Sequence, residues 1–399
     1  MDNVDVAVVG GGVAGLGVAW RLAQRGRRVA LFERGRAGRG ASWAAAGMLA
    51  PDAEAGFEEL DLYALGHESL ARWPAFAAEV EAASGRGVGY RTDGTFVVAD
   101  DRDAARALRR LFRFQTEHGA AVEWLTGDEA AEREPLLSPR LPAAVWSPDG
   151  HQVDNRALVD ALRVAAEGAG VEVHEGAHVT AVEPGGSRPG DRPALSVTRE
   201  PGGADSGESE PGGAERVEAG VVVLAAGAWS GAVGGLTPAP PVRPVKGQAL
   251  SLRMTDALTL RHVVRGPDAY LVPKADGRLV VGGTSEERGW DAAVTAGGLY
   301  RLLEGAVPLV PAVEEMELVE TWVGHRPASR DHGPLLGRSE HAGVVYATGQ
   351  YRHGVLLAPV VADEVAAEVD ALLEAGGAGR GGEAETRPLL APFSPRRFR

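Results

Sequence analysis

Residues 4–33 read as a strand, a glycine-rich turn, a helix and a second strand. The run VDVAVV (4–9) is apolar on both faces, which is typical of a strand buried in a parallel sheet. GGGVAG (10–15) follows it, and the amphipathic stretch 16–26 leads into a second apolar run, RRVALFE (27–33). Because two strands joined through a helix form a βαβ unit, this segment predicts a parallel α/β sheet.

The glycines of this turn have the GxGxxG spacing of a dinucleotide-binding site. Gly10 makes the turn, Gly12 lets the backbone approach a pyrophosphate, and Gly15 lets the helix pack close to the strand. The free N–H groups at the helix N-terminus favour phosphate binding. Glu33 closes the second strand, where a carboxylate accepts hydrogen bonds from ribose hydroxyls. An acid at this position argues against a 2′-phosphate and therefore against NADP.

Three further segments favour FAD over NAD. A buried flavin needs contacts from distant parts of the chain, whereas a nicotinamide dehydrogenase usually shows one fingerprint followed by a catalytic domain. GASWAAAGML (40–49) is a run of small residues after the second strand. AAGAWSG (225–231) and ATGQYRHG (347–354) each follow an apolar strand and end in a glycine turn. These three segments are therefore candidates for contacts with a buried flavin.

The rest of the chain mixes parallel and antiparallel patterns. Helical or strand patterns lie at 59–83, 94–100, 102–119, 154–169, 171–183, 221–227, 344–349 and from Leu357 onward. Three closely spaced strand patterns predict antiparallel neighbours, at 246–254, 269–274 and 278–283. The sequence thus predicts an α/β fold in which a Rossmann-like FAD-binding domain is joined to a second, mainly antiparallel-sheet α+β substrate domain.

These patterns also predict where the domains begin and end. The discontinuous FAD-binding domain comprises 1–89, 151–239 and 326–374, and the substrate-binding domain comprises 90–150 and 240–325. Residues 184–220 are dense in Gly, Pro, Ser, Asp and Glu, which predicts a flexible insertion in the form of a mobile surface hairpin or loop. Residues 375–399 read as a tail, disordered apart from its final few residues.

Composition and charge exclude several classes of protein. The chain of 399 residues is 44% hydrophobic and 24% charged, which excludes disorder of the whole chain. Its net charge of −14 disfavours nucleic acid and anionic membrane surfaces as partners. Its lack of Cys excludes disulfides, thiolate metal sites and a cysteine nucleophile. With neither a long apolar run nor a signal-peptide pattern, we expect a soluble, cytoplasmic protein.

The sequence gives no support for metal-dependent or serine hydrolase chemistry. Its ten His include no HExxH motif, and no GxSxG occurs. We therefore expect no metal ion.

A series of separated motifs runs along the chain in the order GGGVAG, GASWAAAGML, LAAGAWSG, VKGQAL, YLVP, LVVGGT, WVGHRPASRDHGPLLG and ATGQYRHGVLLAP. In this order they resemble the FAD-dependent amine oxidases of the D-amino-acid oxidase superfamily. The likeness covers about residues 4–370, except for the predicted insertion. Within the superfamily, the WAAAGML segment is most similar to the glycine oxidases of bacterial thiazole (thiamine) biosynthesis.

The resemblance implies which residues hold the substrate. A planar guanidinium matches an amino-acid carboxylate with two parallel hydrogen bonds, so an Arg is the expected clamp. The Arg of the family's RP motif is Arg326 here, and the family tyrosine that binds the same carboxylate is Tyr270. Arg352 matches an arginine near substrate and flavin. We expect these three to be the catalytic residues.

The resemblance also implies a noncovalently held FAD and a set of residues around it. A cysteinyl flavin link is excluded because the chain has no Cys. The expected cofactor-binding residues are Gly10, Gly12, Val13, Ala14, Gly15, Glu33, Arg34, Ser42, Ala45, Ala46, Gly47, Met48, Val179, Ala226, Gly227, Trp229, Gly349, Arg352, Gly354 and Val355.

The last motif departs from the family pattern. Family members usually have a His followed by Arg-Asn-Gly, whereas this chain has Gln350 and then Arg352, His353 and Gly354. We expect neither His353 nor His325 to act as a base, because the chemistry that the resemblance implies needs no protein acid or base for C–H cleavage.

The activity implied by the resemblance is oxidation of a small amino acid, glycine, to an imine that water converts to glyoxylate and ammonia. Molecular oxygen would be reduced to hydrogen peroxide, a thiazole synthase would be a partner, and the chain would form a homo-oligomer. Three alternatives stay open: a D-amino-acid or sarcosine oxidase, a dehydrogenase that passes electrons to a quinone or carrier, and a noncatalytic flavin-binding protein.

Overall fold

Two eight-stranded sheets organise the protein in the computed structural model, which describes residues 4–54, 56–186, 191–199, 214–375 and 387–398. In chain order the strands are β1 (Val4–Val9), β2 (Val29–Phe32), β3 (Met48–Leu49), β4 (Thr95–Ala99), β5 (Glu123–Leu125), β6 (Ala143–Ser147), β7 (His151–Gln152), β8 (Glu172–His174), β9 (Ala177–Glu183), β10 (Ala194–Arg199), β11 (Glu215–Leu224), β12 (Arg243–Arg253), β13 (Val263–Arg265), β14 (Tyr270–Pro273), β15 (Arg278–Gly282), β16 (Glu317–Ala328), β17 (Leu335–Arg338) and β18 (Val344–Thr348). The α-helices are α1 (Val13–Gln24), α2 (Ala41–Ala44), α3 (Leu60–Ser84), α4 (Arg102–Glu117), α5 (Gly127–Arg133), α6 (Asn155–Gly168), α7 (Ala296–Ala306) and α8 (Ala358–Glu374). Short 3₁₀ turns occur at Asp52–Glu54, Gly227–Ala232, Pro311–Glu315, Pro388–Phe393 and Pro395–Phe398.

Six of the eight strands of the first sheet have the order β17-β18-β11-β1-β2-β8, and the other two, β9 and β10, branch from β11. The six strands of this order run parallel except β17, which pairs antiparallel with β18 at one edge. Val6 and Val8 of β1 face a core shared with α1, α6 and α8, while Ala7 and Val9 face the opposite side. Burial of both faces explains the continuous apolar sequence of this strand. The predicted parallel α/β sheet is confirmed.

The opposite side of the first sheet is covered by β9 and β10, and β10 falls inside the predicted flexible insertion, 184–220. β10 and the first part of β11 pair antiparallel with each other, which is compatible with the predicted hairpin, and the flexibility of the insertion stays a prediction. Leu195 and Val197 alternate along β10 and are buried against the sheet, an alternation that the surrounding Gly and Pro obscured. Residues 187–190 and 200–213 of that insertion lie outside the described residues.

The second sheet has the order β16-β12-β15-β14-β13-β4-β6-β5. Its neighbouring strands are antiparallel, except that β13 runs parallel to β4. Leu271 and Val281 on one face pack with Leu302 of α7, while Val97 and Val145 on the other pack with Leu108 of α4. This arrangement confirms the predicted, mainly antiparallel second sheet.

The strands of the two sheets separate along the chain. Those of the first sheet lie within 4–32, 172–224 and 335–348, and those of the second lie within 95–147 and 243–328. The domain boundaries stay a prediction that this separation supports.

In the predicted tail, Leu390 and Phe393 are buried and belong to the same core as α8. Residues 376–386 of the tail lie outside the described residues. Among the helices of the described ranges, none is both long and apolar enough to cross a membrane.

Candidate functional site

A cavity of about 1090 Å³ lies between the carboxyl ends of the first sheet's parallel strands and one face of the second sheet. Val9 and Phe32 end β1 and β2 at its wall, and the residues that follow β11 and β18 also reach it. From the second sheet it is lined by β12, the start of β14 and the end of β16. Ligands of open α/β sheets bind in this position because the loops that follow the strands converge there.

The glycine-rich turn lines one end of the cavity. Gly10 has a φ of +104°, and a Cβ atom on it would lie 2.5 Å from the Ala225 carbonyl oxygen, so glycine is required there. Gly12 precedes α1, whose first turn carries no acidic side chain. The Ser42 hydroxyl accepts a hydrogen bond from the Val13 N–H at 3.0 Å. This end presents a helix N-terminus without a competing carboxylate, which suits a pyrophosphate.

Two predicted cofactor-binding glycines, Gly15 and Gly349, are not part of the cavity wall. A Cβ atom on Gly15 would lie 1.9 Å from the Gly10 carbonyl oxygen, so Gly15 allows α1 to pack against the turn. Gly349 has a φ of +74° and faces Leu335, and its role is to turn the chain after β18. These packing and turn roles agree with the structure, and a contact of Gly15 or Gly349 with FAD stays a prediction.

The other predicted cofactor-binding residues all line the cavity, as Gly10, Gly12, Val13, Ala14, Glu33, Arg34, Ser42, Ala45, Ala46, Gly47, Met48, Val179, Ala226, Gly227, Trp229, Arg352, Gly354 and Val355. The Glu33 carboxylate accepts hydrogen bonds from the N–H groups of Gly11 at 2.8 Å and Gly35 at 3.0 Å. The Arg34 guanidinium lies 3.8 Å from the Trp229 ring centre. Their contact with FAD remains a prediction.

The predicted catalytic residues Arg326 and Tyr270 approach each other at the other end of the cavity. Arg326 Nη1 donates a hydrogen bond to the Thr284 carbonyl oxygen at 2.8 Å. A Cβ atom on Gly283 would lie 2.7 Å from Tyr270 Oη and 2.9 Å from Arg326 Nη2, so both donors border the space above this glycine. A guanidinium and a phenol that converge in this way can bind one carboxylate.

Arg352 also lines the cavity, next to a tyrosine that sequence reasoning missed. Tyr351 has a φ of +47°, which is rare for a bulky side chain and is typical of functional sites. Its hydroxyl lies 3.3 Å from Arg352 Nη2 and 3.4 Å from Ser285 Oγ. Burial raises the pKa of Tyr351, but these contacts and the Arg326 charge outweigh it and lower the pKa overall. An aromatic residue directly before the motif's Arg was the available signal.

The residues discounted as bases have different surroundings. His353 is buried outside the cavity wall, 3.7 Å from Glu54, and burial lowers its pKa. His325 lines the cavity, but its Nε2 lies 3.1 Å from the Asp291 carbonyl oxygen and its ring packs against Trp290. Within the described ranges, no three His, Asp or Glu side chains group as they would to hold a metal ion.

A polar network behind Arg326 was also missed. The buried Gln248 donates to Glu286 Oε1 at 2.7 Å and accepts from the Thr295 N–H at 2.8 Å. The Thr284 hydroxyl donates to Glu286 Oε1 at 2.6 Å and accepts from the Gln248 N–H at 2.9 Å. The network fixes Thr284, whose carbonyl oxygen orients Arg326. Only the order of strands in the sheet brings these residues together.

The chain is similar to known proteins along almost its whole length. The family described as FAD dependent oxidoreductase matches residues 5–368. The glycine oxidase of Geobacillus kaustophilus is 37% identical over 98% of this chain and 96% of its own length. The crystal structure of glycine oxidase from that organism superposes with a TM-score of 0.87 at 36% identity, covering 100% of this chain and 99% of the other. The "Bifunctional protein ThiO/ThiG" of Synechocystis is 34% identical over 99% of this chain, which spans 54% of that protein. The chain therefore belongs to the family of FAD-dependent oxidoreductases.

Proposed function

We propose that this enzyme oxidises glycine to its imine, which water converts to glyoxylate and ammonia, with hydrogen peroxide formed from molecular oxygen. The observation that carries the proposal is the convergence of Arg326 and Tyr270 above Gly283, inside a cavity that also contains the dinucleotide end. Two relatives that match nearly the whole chain support it, because one is a glycine oxidase and the other contains a ThiO part.

The cavity fits FAD at both of its ends. Gly10, Gly12, the α1 N-terminus and Glu33 would hold the pyrophosphate and ribose, as their backbone geometry allows. The small residues Ala45, Ala46 and Gly47 line the path from there toward Arg326. When bound, FAD supplies a two-electron acceptor for the hydride that leaves the substrate Cα and passes the electrons to oxygen.

The residues around the clamp would orient the amino acid. Arg326 and Tyr270 would bind its carboxylate, and the hydrogen bond from Arg326 Nη1 to the Thr284 carbonyl oxygen holds the guanidinium with Nη2 beside Tyr270 Oη above Gly283. With the carboxylate fixed, Cα and the amine have little freedom, which reduces the entropic part of the barrier. The reacting amine is neutral, and we assign no side chain as its base.

We further propose that the first sheet forms the cofactor domain and the second the substrate domain, with the boundaries given above. A thiazole synthase is the proposed partner. The support is that this chain matches 54% of the length of the "Bifunctional protein ThiO/ThiG", a protein that combines both parts. The homo-oligomer remains part of the proposal.

An anaerobic titration of the purified protein with glycine, sarcosine and D-alanine tests the proposal. Bleaching of the flavin absorbance by glycine, reversed by air with release of peroxide, is the expected result. If sarcosine or D-alanine bleached the flavin in preference to glycine, that amine would be the substrate instead of glycine. Turnover with a dye but with little peroxide would identify a dehydrogenase, and no bleaching by any amine would contradict the catalytic proposal.

A further inference from the structure

Lys274, directly after β14, carries a buried amino group that the proposed chemistry does not use. The side chain is 4% exposed. Its Nζ donates hydrogen bonds to the carbonyl oxygens of Ala46 at 2.7 Å and Val153 at 2.8 Å, and lies 3.5 Å from Gln152 Oε1. Burial lowers the pKa of Lys274 to about 7. Three oxygen acceptors around one nitrogen favour the protonated amine, which has a donor for each of them.

A second buried lysine shows what is unusual about this one. Lys246 is 0% exposed, but its Nζ lies 2.7 Å from a carboxylate oxygen of Asp291 and 2.6 Å from the Ala293 carbonyl oxygen. Within the described ranges no carboxylate makes such a direct contact with Lys274. Asp154 and Asp276 act on Lys274 only through their charge, and because a buried amino group without a directly bound carboxylate is costly, Lys274 is a poor choice for stability alone.

The backbone that Lys274 holds is the small-residue strip Ser42–Met48, which lines the cavity at most of its positions. Other side chains hold the same strip from behind. Asn155 Nδ2 donates to the carbonyl oxygens of Ser42 at 2.8 Å and Trp43 at 2.9 Å, and Trp322 Nε1 donates to that of Ala44 at 2.9 Å. Lys274 continues this series at Ala46.

The next carbonyl oxygen of the strip, that of Gly47, also accepts a hydrogen bond from the protein. The Val153 N–H donates to the Gly47 carbonyl oxygen at 2.9 Å, and a Cβ atom on Gly47 would lie 2.1 Å from the Val153 carbonyl oxygen and 3.2 Å from Lys274 Nζ. In contrast, the N–H groups of Ala46 and Gly47 donate to no acceptor in the described part of the chain. Five carbonyl oxygens of the strip thus accept hydrogen bonds from protein donors, whereas the N–H groups of Ala46 and Gly47, two residues that line the cavity, have no protein acceptor within the described ranges.

We propose that Lys274 is a positioning residue for FAD, which holds the Ala46 and Val153 carbonyls so that the strip presents its N–H groups to the cofactor. The strip lies between the dinucleotide end of the cavity and the Arg326 clamp, where a ring that accepts hydride from the substrate must sit. The proposal rests on FAD as the cofactor and is independent of which amine is oxidised.

The test compares three variants from which FAD is removed and to which it is then added back. Lys274→Met removes every donor, Lys274→Gln keeps an amide donor without the charge, and Lys246→Met removes the matched buried lysine that lies outside the cavity wall. The dissociation constant for FAD is measured by fluorescence quenching, the flavin absorption bands are recorded, and thermal unfolding of the apoprotein reports the fold.

Lys274→Met is expected to raise the FAD dissociation constant about tenfold or more and to shift the flavin bands, because two or three hydrogen bonds that orient the strip are lost. Lys274→Gln, which is more readily accommodated, should give a smaller rise. A dissociation constant within about twofold of wild type in a folded Lys274 variant would overturn the proposal. An equal rise in Lys246→Met would also overturn it, since the effect would then belong to any buried lysine. Failure of glycine to bleach the flavin would leave these results unaffected.

Discussion

Tyr270 and Arg326 reach the same point in the cavity from strands that are not neighbours. In the second sheet, β12 and β15 separate β16, which carries Arg326, from β14, which carries Tyr270. The two side chains meet because glycines occupy the positions between them: a Cβ atom on Gly247 would lie 2.4 Å from Arg326 Nη1, and one on Gly282 would lie 2.6 Å from Tyr270 Oη. Together with Gly283, these two glycines form the surface beneath Arg326 and Tyr270, here called the glycine floor.

The first prediction concerns the clamp itself. Arg326→Ala should lower kcat/KM for glycine on the order of 10- to 100-fold, because hydrogen bonds to a charged group are each worth about 1.5–3 kcal/mol. FAD should stay bound, since the dinucleotide end lies elsewhere in the cavity. Steady-state kinetics with a parallel measurement of flavin content checks this. An unchanged kcat/KM would remove Arg326 from the site.

The second prediction tests the glycine floor. Gly283→Ala should raise KM for the amino acid about tenfold, because the added methyl group would displace Tyr270 Oη and Arg326 Nη2 from contact distances of 2.7 and 2.9 Å. Gly297→Ala is the matched control, since nothing lies within 4 Å of its Cβ position and it is exposed. The two variants are compared by steady-state kinetics. Equal KM values would show that the floor is not needed for binding.

The sequence predicted the parts of the protein whose signal is local. The βαβ unit around the glycine turn has continuous apolar strands, and its spacing alone predicted the cofactor end of the cavity. Arg326 and Tyr270 were identified only through the resemblance of their motifs. Their convergence depends on the pairing of four strands, β16, β12, β15 and β14. These strands come from separate parts of the chain, so no single segment predicts their pairing.

Other features were missed for the same physical reason. In the sequence, Lys274 has the pattern of an exposed lysine in a turn. In the structure it is buried against Ala46 and Val153, which are distant in sequence. β10 was missed because its alternating Leu195 and Val197 are surrounded by Gly and Pro. The packing role of Gly15, in contrast, follows from its place in the GxGxxG spacing, and the structure agrees with it.

The third prediction concerns a buried carboxylate that links α3 to the second sheet. Asp52, which is 2% exposed, accepts hydrogen bonds from Tyr63 at 2.6 Å and Ser147 at 3.3 Å and lies 3.0 Å from His67 Nε2. Burial raises its pKa, but the hydrogen bonds from His67 and Tyr63 outweigh this and hold the pKa below its usual value. Asp52→Asn should therefore lower the free energy of unfolding by about 1–3 kcal/mol at neutral pH.

The pH dependence gives this prediction its control. A depressed pKa stabilises the fold above the unfolded-state value of 3.8, and that contribution is lost as the pH falls through the folded-state pKa. In denaturant unfolding, the difference between wild type and Asp52→Asn should accordingly shrink in acid. A difference that is constant with pH would indicate that the carboxylate charge does not matter.

The fourth prediction concerns the buried His353. Burial lowers the pKa of His353 below the usual 6.5, although Glu54 and Glu59 oppose the shift. The folded protein thus keeps the ring neutral at a pH where the unfolded chain binds a proton. The free energy of unfolding should fall as the pH drops from 6.5 toward the folded-state pKa, by at most about 1.4 kcal/mol per pH unit, and then level off.

His353→Gln removes this contribution, while His151 and His174, whose pKa values are also lowered by burial, contribute equally to both proteins. Unfolding curves recorded between about pH 5 and 8 should therefore converge toward low pH, and parallel curves would show that His353 takes up no proton on unfolding.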